Sequence, residues 1–73
     1  MYRKQLLNNL GVLLVQRSDS ISTRGWQGRV EREGLLTEAH SLLEAALALL
    51  PSWPEAQHNY RSARDRLRQI HER

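Results

Sequence analysis

Cysteine and phenylalanine are both missing from this 73-residue chain, and Lys4 is the single lysine among its 11 basic residues. Without thiols no disulfide forms and thiolate metal sites are excluded. The absence fits a reducing compartment, so an intracellular location is the expectation. Long apolar runs are missing too. The stretches 10–15 and 42–51, the second broken by Glu44, fall well short of the ~20 residues a bilayer span needs. The opening Met1-Tyr2-Arg3-Lys4 leads into a short apolar run interrupted by Asn8 and Asn9, which argues against a secretory signal. Charge of one sign is scarce as well: the formal net charge is +3, far from the density of a nucleic-acid-binding arm. A chain of this size buries only about 60% of its unfolded surface. Neighbouring repeats or a partner chain are therefore the natural source of further stability.

What the sequence does hold is leucine and alanine at helical spacing. Leu6, Leu7, Leu10, Leu13 and Leu14 recur at steps of three and four, predicting a helix over 2–17. The stretch 18–33 is rich in Ser, Thr, Gly and Arg, with Gly25 and Gly28 flanking Trp26, and reads as a mobile inserted loop, with helix resuming near Val30 as the alternative. A second helix is expected over 35–50, started at Gly34 and ended by Pro51. Its stripe (Leu36, Ala39, Leu43, Ala46, Leu50) is widened by Leu35, Leu42 and Leu49, and a face that wide needs cover on two sides. Ser52 and Glu55 form a capping-box pattern with Pro54 in the first turn, so a third helix follows over 54–71. Ala56, Tyr60, Ala63, Leu67 and Ile70 make its inner face, and Arg61, Arg64, Asp65, Arg68 and Glu72 its outer one. The fold class predicted is all-α, one domain over 1–73.

Leu7, Leu10, Gly11 and Leu14, then Ala39, Leu43, Ala46 and Pro51, resemble the tetratricopeptide repeat pattern of W-x₂-L-G-x₂-Y followed by A-x₃-F, A and P. The segment from Pro54 to Tyr60 resembles the opening of a next repeat. The likeness covers about 50 of the 73 residues. It implies an antiparallel helical hairpin with a C-terminal capping helix, in which Gly11 and Ala39 are small because two helices cross closely. Two departures stand out: the 18–33 insertion between the paired helices, and Arg61 where the family has a small residue.

Family members bind extended peptides in the groove lined by the first helix of each repeat. By that resemblance Asn8, Val12 and Gln16 face a groove from the first helix, and His58, Asn59 and Ser62 face it from the third. Solvated polar residues would give the same pattern, and one and a half repeats make only half a groove. A chaperone carboxylate clamp is not expected, because Val12 occupies one of its polar positions. Trp26 with Arg29 in the insertion is a second candidate contact, since Trp and Arg are enriched at binding hot spots; the alternative is that Trp26 folds back over the helix pair. Ser20, Ser22 and Thr23 are weak candidates for modification. Self-association is expected through an uncovered face of the first helix, with Leu6, Leu13 and Val15 as candidates.

His40, His58 and His71 lack a zinc-ligand spacing, and no nucleophile elbow, P-loop or H-E-x-x-H motif occurs. No enzymatic activity, metal or cofactor is expected. Arg61, Arg64, Arg66, Arg68 and Arg73 make the last helix basic, but Asp65 and Glu72 dilute them, so a small basic nucleic-acid-binding protein is the alternative reading. The function the sequence favours is a protein–protein interaction or assembly module that binds a peptide or partner protein through helical surfaces.

Overall fold

The computed structural model describes residues 2–22 and 24–72. Thr23, named above for modification, and Arg73, counted in the basic helix, lie outside them. Three helices make up the described residues: α1 (Tyr2–Asp19), α2 (Trp26–Leu49) and α3 (Pro54–His71). The fold is all-α, a helical hairpin with a third, C-terminal helix.

Contacts between the helices fix their directions. Gly11 of α1 lies against Leu43 of α2, while Asp19 lies against Arg32, so those two helices run antiparallel. On the other side of α2, His40 stacks on Tyr60 and Glu33 meets His71, which makes α3 antiparallel to α2. Asn8 reaches Glu55 and Asn59, and Asp19 reaches Arg66, so α1 and α3 run parallel. The molecule is thin, 40 × 20 × 14 Å, and α2 carries the core between its neighbours. Leu36, Ala39, Leu43, Val15 and Ala63 form that core, with Leu14, Tyr60, Leu67 and Ile70 packed around it.

The hairpin depends on one close approach. A Cβ on Gly11 would stand 2.7 Å from Leu43 Cγ, inside any normal carbon contact. Ala39, Ala46, Ala56 and Ala63 are fully buried and small for the same reason, letting helices lie near one another.

The loop expected over 18–33 is far shorter. Only 20–25 connects the hairpin, and α2 begins at Trp26 instead of 35. Gly28 and Gly34 read as breakers, yet a single glycine costs a helix interior only about 1 kcal/mol. Gly34 sits in the middle of α2 and faces open space, so it is not a turn. Gly28 has a positive reason to be small, because a Cβ there would collide with the Ser22 carbonyl oxygen where the loop folds onto the first turn of α2. The hydrophobic stripe is absent from these turns because they bury little: Trp26 and Val30 are exposed. At the other junction Trp53, not Ser52, is the N-cap of α3 and makes no side-chain cap bond. Pro54 takes the first helical position, so the helix starts at the expected residue and only its capping residue differs. No described helix is long and apolar enough to cross a membrane.

Candidate functional site

Among the described residues, the seam between α1 and α3 gathers several of the candidate residues. Val12, Gln16, Asn59 and Ser62 line a groove there together with Val15, Asp19 and Arg66. Parallel alignment of the two helices produces it, since residues one turn apart on α1 meet residues one turn apart on α3. His58 lies just beyond, in an adjoining hollow shared with Asp19, Arg61, Ser62 and Arg66.

Two polar locks hold the groove open to a fixed width. At its upper end Asn59 Nδ2 donates to Asn8 Oδ1 at 3.0 Å, and Asn8 Nδ2 donates to Glu55 Oε1 at 3.4 Å. Asn8 is only 1% exposed. Its assignment as a peptide contact is therefore corrected: both ends of its amide are committed to α3, and it positions the helices. Asn59 is half-buried and gives one of its amide hydrogens to this bridge. Among the described residues its carbonyl oxygen and second hydrogen have no side-chain partner.

At the lower end Arg66 grips Asp19 with two parallel bonds, Nε to Oδ1 at 2.8 Å and Nη2 to Oδ2 at 2.9 Å. Such a forked pair fixes both side chains in one plane. Arg66 also donates through Nη1 to the Ser62 hydroxyl and to the Ser62 carbonyl. Arg32 of α2 approaches the same carboxylate at 3.7 Å. The Arg66 hydrogen bonds hold the Asp19 carboxyl below its ordinary value; partial burial opposes this, and the nearby charges of Arg66 and Arg32 assist it. The same bonds raise Arg66. Ser18, fully buried beside the lock, donates its hydroxyl to the Val15 carbonyl at 2.6 Å and so satisfies itself locally.

Electrostatically the groove floor is apolar at Val12 and Val15, amide-rich at its middle, and weakly basic at the Arg66 end. An extended chain would meet there a mixture of apolar contact, amide hydrogen bonding and a guanidinium whose three nitrogens already donate to Asp19 and Ser62.

Trp26 and Arg29 are not part of this seam. They line a separate hollow with Val30, Glu33 and Ile70 at the far end of the α2–α3 pair. Trp26 is 66% exposed and does not fold back over the helices. The face of α1 expected to mediate self-association is likewise revised: Leu6 and Leu13 are exposed, but Val15 is 8% exposed and belongs to the core.

Glu55, Asp19 and Arg66 were invisible as site-forming residues in the sequence. Glu55 reads as half of a capping box, and its carboxylate is instead used across helices. The Asp19–Arg66 pair spans 47 positions, and nothing in local spacing links the two. Comparison with family models, with curated proteins and with solved structures yields no match.

Proposed function

We propose that the chain is a protein–protein interaction module of tetratricopeptide type, binding an extended peptide or a segment of a partner protein in the groove between α1 and α3. The observation that carries this reading is the parallel pairing of α1 and α3, both antiparallel to α2, around the close contact of Gly11 with Leu43. That order of directions is what one repeat followed by the first helix of another would have. The groove then corresponds to the surface on which members of that family hold peptides.

Val12 supplies apolar contact, Gln16 and Asn59 hydrogen-bond a peptide backbone, and Ser62 and His58 border the exit. Asn8 acts indirectly by fixing Asn59. Trp26 with Arg29 is a second contact surface, on the α2–α3 side of the molecule near the start of α2. No catalytic step belongs to the proposal.

Selection from a random peptide library tests it. Enriched peptides should shift the amide resonances of Gln16, His58, Asn59 and Ser62, and a Val12→Glu, Asn59→Ala variant should lose them by tenfold or more, about 1.4 kcal/mol. Absence of any enriched peptide would remove the reading. RNA or DNA binding at low salt that falls steeply as salt rises would replace it with a basic nucleic-acid-binding protein.

A further inference from the structure

On the side of the hairpin turned away from α3, two heptad-spaced edges lie next to each other. Going round α1, Asn8 and Asp19 meet α3 and Gly11 meets α2; the next residues around are Arg3, Leu6, Leu10, Leu13 and Arg17, at steps of three and four. Going round α2, His40 and Glu33 meet α3, while Leu43 and Arg32 meet α1; next come Glu31, Leu35, Glu38, Leu42 and Leu49. Leu6, Leu10, Leu13 and Leu49 are exposed and Leu35 and Leu42 half-buried, so the two edges make one continuous leucine ledge. At 3.6 residues per turn each edge stays within a right angle of its helix.

The charges on the two edges differ in kind. The α1 edge is wholly basic, with Arg3 at one end and Arg17 at the other. The α2 edge is wholly acidic, with Glu31 and Glu38. Its other end is the C-terminus of α2, where no basic residue stands in the last turn to offset the negative end of the helix dipole. Antiparallel register sets these at matched heights. With Gly11 level with Leu43 and Asp19 near Arg32, Glu38 stands within about one turn of Arg17, and Leu49 stands near Arg3 and Leu6.

The geometry points to a second copy of this chain as the occupant of the ledge, in a closed two-fold dimer whose axis runs parallel to the helices. Under that rotation α1 of each copy lies over α2 of the other with heights preserved. Arg17 meets Glu38 of the second copy, and Arg3 meets the uncompensated α2 C-terminus. Leu6, Leu10 and Leu13 meet Leu49 and Leu42. Every neighbouring pair of helices in the resulting four-helix layer is antiparallel, the favourable arrangement for the dipoles. The other two-fold axis that closes a dimer here, across the helices, lays α1 on α1 and sets Arg3 against Arg17. Like charges in contact reject that pairing. The face is self-complementary in only one orientation, and an isologous interface requires just such self-complementarity.

Sedimentation equilibrium across a wide concentration range, with a charge-swap cycle, tests the proposal. The unaltered chain sediments as a dimer. Arg17→Glu and Glu38→Arg each raise the dissociation constant by about tenfold, since each converts two symmetric attractions into repulsions. The double variant restores the original value, a coupling that independent effects on folding would not produce. Leu13→Asp abolishes the dimer while helical circular dichroism is kept, because Leu13 is 58% exposed and contributes little to the monomer core. A monomer at all concentrations overturns the inference, leaving the ledge to a different protein. Tighter association of Arg17→Glu with no rescue points to α1 on α1 and overturns the arrangement. Open polymers instead of dimers overturn the closed symmetry. Variants of Gln16 and His58 leave the dimer intact, so the peptide-groove reading and this one fail separately.

Discussion

Gly11 and Gly34 both sit inside helices, yet alanine at each should act in opposite directions. At Gly34 the new methyl meets open space. Replacing a mid-helix glycine there should stabilise by about 0.5–1 kcal/mol through helix propensity alone. At Gly11 the same gain is set against a methyl 2.7 Å from Leu43 Cγ in a buried site. Overpacking of that kind costs about 1–3 kcal/mol, so Gly11→Ala should lower stability by up to about 2 kcal/mol. Urea unfolding of the two variants gives both signs; a stabilised Gly11→Ala would mean that the helices can move apart freely. Asp19 offers a second test at this scale. Its folded carboxyl is depressed by the Arg66 hydrogen bonds, so its contribution is fully present above the ordinary value of 3.8 and is lost as pH falls through the lower folded value. Acid unfolding of the native chain should therefore steepen below pH 3.8, and Asp19→Asn should flatten that limb while lowering stability at neutral pH. The effect is damped by solvent, since the Asp19 side chain is 43% exposed.

Among the elements, α3 is the one whose attachment is most polar. Its link to α1 runs through the amide of Asn8 and the fork of Arg66, while its apolar face rests on α2. Asn8→Ala removes the buried partner of Asn59 and of Glu55, both of which can turn to water. A loss of about 1–2 kcal/mol is expected, concentrated in α3, whose amides should exchange with solvent faster than those of α2. Uniform loss of protection over all three helices would instead mean that the three unfold as one unit. Helix existence was readable from the 3.6-residue spacing of leucines and alanines, but helix limits were not. The start of α2 is exposed, so it lacks the apolar stripe that marks a helix, and the glycines at 28 and 34 suggested a break that tertiary contact with Ser22 explains at the first and that costs little at the second. The groove residues Val12, Gln16, Asn59 and Ser62 came from a resemblance in spacing. The same spacing made Asn8 a ligand contact, because a pattern of polar residues does not say which of them another helix will cover.

Taken whole, the molecule is a thin layer of helices, and among the described residues the largest fully buried side chains are Leu36, Leu43, Asn8 and Ser18. Such a core stabilises weakly, and association through the leucine ledge would add burial that the monomer lacks. Under mass action the midpoint of thermal unfolding should then rise with protein concentration for the unaltered chain, and stay constant for Leu13→Asp. A midpoint independent of concentration in both would say the monomer stands alone. The sequence by itself determined that the chain is helical, that no thiol chemistry is open to it, and that α2 must be covered on two sides, because these follow from residue types and their period along one helix. Tertiary structure alone decided which polar groups pair across helices, where the first connection ends, and which leucines face outward. Those depend on the angle at which α1 and α3 settle against α2, and that angle is set by contacts between residues far apart in the chain, on which local periodicity carries no information.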